Sequence, residues 1–235
     1  MPLHQLSFKE RLLLFYNVAT TTLWFCCFVR FLILLPLVGR RFLPGGIADF
    51  FHVVAVTPLI GTLLLLTLDS TKWKTQLWSL SNGIKMTWIC YGVIFPHPKI
   101  AKHTSYSLLI TAWCLQYMIH YSYHAFRVKT RTSPYFLFWL QYNNFYVTYP
   151  LSVIVEMIQV FLSLSFVADD SFHELVLKAM FVVYIPVAYF TWGHLKTRRN
   201  IKYVSVLQKR QVRSANIEMS TNVLTSSASR RELSS

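Results

Sequence analysis

Acidic side chains are scarce: 9 Asp+Glu stand against 23 Lys+Arg in 235 residues, and charges of both signs make up only 14% of the chain. An ordinary soluble domain carries about 25%, so there is too little charge here to cover a water-facing surface. Glycine is sparse too, with 7 residues, and neither a Gly-rich phosphate cradle nor a nucleotide fingerprint occurs. The 4 cysteines, Cys26, Cys27, Cys90 and Cys114, form no C-x-x-C pair, lie inside apolar stretches and have no arginine six positions on. A disulfide framework and a cysteine-based phosphatase loop are excluded, and the four read as small core hydrophobes.

What the chain does have is 54% hydrophobic and 16% aromatic residues, with a mean hydropathy of +0.41. Intrinsic disorder is excluded for the bulk of it. Apolar runs fall near residues 12–38, 50–68, 77–95, 106–123, 135–166 and 175–194, joined by short polar or Pro/Gly-containing segments such as Leu43-Pro44-Gly45-Gly46 and Pro96-His97-Pro98. A bilayer core needs about 20 residues per helical crossing, and open strand edges cannot be satisfied in lipid. The pattern predicts an all-α membrane protein, a six-transmembrane-helix bundle, with the overlong fifth run tilted or kinked. The first run lacks a small-residue cleavage site and reads as a retained span.

Positive charge orients the bundle. The N-terminus, the second and fourth joints and the tail together hold 16 Lys+Arg, and the opposite side holds 4. Both termini are therefore expected in the cytosol, with Asp169-Asp170-Ser171 in a lumenal turn. The expected division is a cytosolic N-terminus (1–11), a six-helix transmembrane domain (12–194) and a basic, Ser/Thr-rich, disordered cytosolic tail (195–235). Juxtamembrane Lys/Arg next to spans is explained by anionic lipid head groups, so membrane lipid is an expected partner and nucleic acid is not. No internal repeat is present, which leaves an inverted-repeat transporter without support.

Among the acidic residues only Glu156 sits well inside an apolar run. An ionisable group at membrane depth is costly and usually functional or paired. On a helix, Tyr149, seven residues earlier, falls within roughly 20° of the Glu156 face, and Tyr142, Ser152 and Ser163 fall close to it. Pro150 frees a backbone carbonyl on the preceding turn. A buried carboxyl can act as a general base on a weakly acidic C–H while a nearby phenol holds or protonates an oxygen, a pairing suited to elimination α,β to a carbonyl. The alternative is a stripe that only hydrogen-bonds across helices. His120-x-x-x-His124 has metal-ligand spacing, but the other histidines are scattered and no metal is expected.

The run Tyr142-Asn-Asn-Phe-Tyr-Val-Thr-Tyr149-Pro150-Leu-Ser-Val-Ile-Val-Glu156 resembles the signature of the very-long-chain 3-hydroxyacyl-CoA dehydratases, also called protein-tyrosine-phosphatase-like proteins, and Trp113 to Tyr123 resembles the family's preceding helix. The resemblance implies a multi-pass protein of the endoplasmic reticulum membrane. It would remove water from a (3R)-3-hydroxyacyl-CoA to give the trans-2-enoyl-CoA, the third step of fatty-acid elongation, alongside the elongase and the ketoacyl-CoA and enoyl-CoA reductases. Tyr149 and Glu156 fall on the family's catalytic pair, no cofactor is required, and Tyr142, Ser152, His120 and Gln141 are the candidate substrate-binding positions. The acyl chain would lie between helices. This chain departs from the family at Tyr117, where a glutamate is usual, at His120 and Gln141, where arginines are usual, and at Ser152, where glycine is usual. Two alternatives follow: a catalytically weakened or inactive paralogue serving as a membrane scaffold of the elongase complex, and a small transporter using Glu156.

Overall fold

The computed structural model describes residues 7–68, 73–130, 134–167 and 172–232. The expected Asp169-Asp170-Ser171 turn lies outside them. The described chain is all-helical: α1 (Phe8–Ala55), α2 (Thr57–Leu68), α3 (Trp73–Trp88) continuing into a π-helical turn (Ile89–Ile94), a 3-10 turn (Ile100–Lys102), α4 (Thr104–Thr130), α5 (Tyr135–Asn143), α6 (Phe145–Leu164) and α7 (Phe172–Glu232). It divides into two units, residues 1–188 and 189–235.

Within the first unit, α1 is two rods joined at Gly39, whose φ of 68° is a left-handed value that favours glycine. The expected joint at Leu43–Gly46 is instead helical. Pro44 sits in the first turn of the second rod, where its missing N–H has no intrahelical partner to lose. Among the described residues, four stretches are long and apolar enough to cross a bilayer: Phe8–Gly39, Phe42–Leu68, Tyr135–Leu164 and Phe172–Val206. The runs expected at 77–95 and 106–123 are helical but do not reach that apolarity. In the second of these, polar residues face protein: α4 packs against α1 and α6 and buries Ser105, Tyr106, Tyr117, Tyr121 and Tyr123.

The fifth run is divided into α5 and α6 at Asn144, six residues before Pro150, although Asn144 itself has helical φ and ψ of −55° and −32° and the hydrogen bonding is nearly continuous across it (Asn144 N–H to Leu140 O, 2.9 Å; Thr148 N–H to Asn144 O, 3.0 Å). Pro150 lies inside α6 without ending it. The second unit, where described, is the continuation of α7. Residues 195–232, expected to be disordered, are helical; no Gly or Pro interrupts the chain between His194 and Glu232, so nothing stops helix propagation.

Candidate functional site

The site begins with the buried face of α6. Ser152, Glu156, Gln159 and Ser163 recur at helical spacing and are all buried, while the apolar Ile154 and Phe161 on other faces are exposed. Glu156 has no exposed surface, so its carboxylate must be satisfied inside the protein. Lys85 Nζ of α3 donates to Oε2 at 2.8 Å, and Trp113 Nε1 of α4 donates to Oε1 at 2.8 Å. The Lys85 side chain keeps 21% of its surface exposed and lies 5.8 Å from the Tyr184 ring centre of α7. Four helices meet at one ion pair.

Lys85 reaches this position because α3 comes close to α2. A Cβ on Gly83 would lie 2.9 Å from the Leu59 backbone, so only glycine permits the approach. One turn further on, the π-helical turn bonds Phe95 N–H back to Cys90 O at 2.9 Å, a local widening of a kind found often at functional sites.

Tyr149 lines the same pocket as Glu156, Lys85 and Ser152. Its hydroxyl donates to Ala188 O at 3.0 Å, and Ser152 Oγ donates to Tyr149 O at 2.9 Å. Asn82, Met86, Trp113, Gln116 and Tyr117 complete the wall. The Asn82 amide donates to the Tyr117 hydroxyl, and the Tyr117 ring stacks on Trp24 at 5.0 Å between centroids. The open volume is about 10 Å³, room for about one water and none for an acyl chain. Anything larger than a water enters only if these helices part.

Of the residues singled out in the sequence, Tyr149, Glu156 and Ser152 converge. His120 and Gln141 sit apart as a pair, with Gln141 Nε2 3.1 Å from His120 Nδ1. Tyr142 packs against the rings of Tyr123 and Phe138, at 5.9 and 4.9 Å. His120 and His124 lie ring to ring at 4.6 Å, and no cluster of three or more metal-ligating side chains occurs among the described residues. The sequence reading missed Lys85, Trp113 and Asn82 as site residues. The signal for Lys85 was present: a lysine within a span requires a partner, and Glu156 was the acidic residue at comparable depth.

A family model described as "Protein tyrosine phosphatase-like protein, PTPLA" matches residues 78–205, which takes in Lys85, Trp113, Tyr149 and Glu156. The chain belongs to the PTPLA family. Among its relatives is the Saccharomyces cerevisiae "Beta-1,6-glucan synthesis-associated protein KEG1", 27% identical over 206 residues, covering 82% of this chain and 98% of that protein. Very-long-chain (3R)-3-hydroxyacyl-CoA dehydratase 1 of Canis lupus familiaris is 25% identical over 189 residues, 76% of this chain and 71% of that one. Very-long-chain (3R)-3-hydroxyacyl-CoA dehydratase hpo-8 of Caenorhabditis elegans is 43% identical over 58 residues, 25% of this chain and 27% of that one. No solved structure matches the chain. The relatives of this chain thus include proteins named as very-long-chain (3R)-3-hydroxyacyl-CoA dehydratases, and the apolar helices of this member fit a membrane protein.

Proposed function

We propose that this chain dehydrates very-long-chain (3R)-3-hydroxyacyl-CoA to the trans-2-enoyl-CoA. One observation carries the reading: Tyr149 and the fully buried Glu156 line a single pocket walled by α3, α4 and α6. In that arrangement Glu156 takes the C2 proton, which the thioester acidifies, and Tyr149 protonates the departing C3 hydroxyl, so that acid and base stand at the two ends of the bond that becomes C2=C3. The substrate enters as a long-chain acyl-CoA that separates the helices, its acyl chain among them and its head group toward basic residues of the cytosolic side. The proposal includes six crossings, with α3 and α4 as the two polar ones, both termini in the cytosol, an endoplasmic reticulum location, and work beside the other elongation enzymes. The test is conversion of 3-hydroxyacyl-CoA by purified protein in lipid nanodiscs, compared with Tyr149→Phe and Glu156→Gln. Activity in the wild type and its loss in both variants supports the reading. Equal rates in all three refute it.

A second reading is favoured by two specific observations. The carboxylate is already satisfied by Lys85 and Trp113 in a pocket too small for substrate, and the two positions where the resemblance leads one to expect arginine hold a histidine and a glutamine bonded to each other. In this reading Glu156 ties the bundle together, and the protein serves as a membrane scaffold. One relative is likewise named for association with beta-1,6-glucan synthesis and not for a dehydration. The scaffold reading predicts a folded wild type that converts no 3-hydroxyacyl-CoA.

A further inference from the structure

Dehydration through C2 deprotonation places negative charge on the thioester oxygen, and a catalyst needs a donor waiting where that charge develops. Among the described residues lining the pocket, Trp113, Asn82, Gln116, Tyr117 and Tyr149 offer neutral donors, and Lys85 is the cation. His120 and Gln141, at the expected arginine positions, are bonded to one another and are not among the pocket's walls.

We propose that Lys85 is a third catalytic group, whose ammonium holds the thioester carbonyl oxygen and stabilises the enolate formed when Glu156 removes the C2 proton. The inference rests on the dehydratase reading. Its ground is the geometry: the ammonium and the Glu156 carboxylate are one hydrogen bond apart, at 2.8 Å, and the two substrate atoms they would address, the carbonyl oxygen and the C2 hydrogen, are borne on adjacent carbons. A lysine on a flexible four-carbon stem can follow the substrate oxygen, and Lys85 keeps 21% of its side-chain surface exposed, so it is not walled in on every side. When it turns, it vacates Oε2, the oxygen that then receives the proton.

The step balances. The C2–H electron pair becomes the C1=C2 bond of the enolate while the carbonyl pair moves onto the oxygen held by Lys85. Collapse of the enolate restores the carbonyl, forms C2=C3 and breaks C3–O, and the departing hydroxide takes the Tyr149 phenolic proton to leave as water. The proton on Glu156 then returns to the Tyr149 phenolate, and both groups regain their starting states. Lys85 keeps its charge throughout.

The test separates proton removal from loss of the hydroxyl. Palmitoyl-CoA has no 3-hydroxyl to lose, so its exchange of C2 hydrogen for deuterium in D2O reports on base and enolate stabiliser alone. In nanodiscs, Lys85→Gln should slow both this exchange and dehydration of 3-hydroxypalmitoyl-CoA by on the order of 100-fold, with KM changed by no more than about threefold. Tyr149→Phe should lose dehydration yet exchange like the wild type, which a merely structural effect of the site would not produce. Exchange and dehydration by folded Lys85→Gln within threefold of wild type would overturn the role of Lys85 while leaving the dehydratase reading intact. A folded wild type that neither exchanges nor dehydrates would remove both. If Lys85→Gln does not fold, the wild type carries the test: saturating palmitoyl-CoA should protect Lys85 from reductive methylation with formaldehyde, and unchanged methylation overturns the proposal.

Discussion

Glu156→Gln has a stability consequence that follows from the site geometry. The amide can still accept from Trp113 Nε1, so the bond now at 2.8 Å survives, but the negative charge facing Lys85 is gone. Removing one partner of a buried ion pair costs roughly 3–5 kcal/mol, because the other charge is left uncompensated. Lys85 retains 21% exposure and can reach some water, which puts the cost at about 3 kcal/mol, near the bottom of that range. For a protein of this size each kcal/mol lowers Tm by about 2–4 °C, so a fall of about 6–12 °C is expected. Adding Lys85→Met removes the stranded charge, and neutral replacement of a whole buried pair is often neutral or stabilising. The double variant should therefore recover at least about 2 kcal/mol of the loss, a coupling that independent sites do not show. Thermal unfolding in one detergent, followed by tryptophan fluorescence, measures all four proteins of the cycle. If the double variant loses the sum of the two singles, the pair is not the structural unit described.

Tyr149→Phe keeps the ring and loses only the donor to Ala188 O; it should cut dehydration by on the order of 100-fold while moving stability by about 1 kcal/mol, read by turnover and melting on the same preparation. Gly83→Ala places a methyl 2.9 Å from the Leu59 backbone, so α2 and α3 must separate, and a destabilisation of about 1–3 kcal/mol in the same melting assay is expected. In the Pro96-His97-Pro98 joint, burial, with an added contribution from His173, lowers the proton affinity of His97 below its ordinary 6.5. The open form then takes up the proton first, so this joint is fully stable above that value and loses stability as pH falls through it. Hydrogen exchange of residues 94–106, corrected for intrinsic rate, should be faster at pH 5 than at pH 7.5, and His97→Gln should abolish the difference.

The apolar runs were legible because lipid imposes a length and an apolarity on whatever faces it. The helices that do not face lipid were harder to read: α4 buries its tyrosines and serines against α1 and α6, so its polarity records neighbours that no local window contains. The division of the fifth run at Asn144 was not legible, since Pro150, the residue that marks a break in the sequence, lies inside α6 without ending it. Glu156 and Tyr149 were found by their shared helix face, a local property. Lys85 and Trp113 come from 71 and 43 residues away in sequence, and only packing brings them to the carboxylate. The helical tail was missed because low apolarity was read as disorder, although the absence of Gly and Pro permits a helix there.

The central claim is tested most directly by incubating purified, folded protein in nanodiscs with 3-hydroxyacyl-CoA substrates of several chain lengths and measuring enoyl-CoA by mass spectrometry. The account predicts conversion by the wild type and loss of on the order of 100-fold or more in Glu156→Gln and Tyr149→Phe. A wild type that converts none of these substrates, with no activity gained on His120→Arg together with Gln141→Arg, would contradict it and leave the scaffold reading in its place.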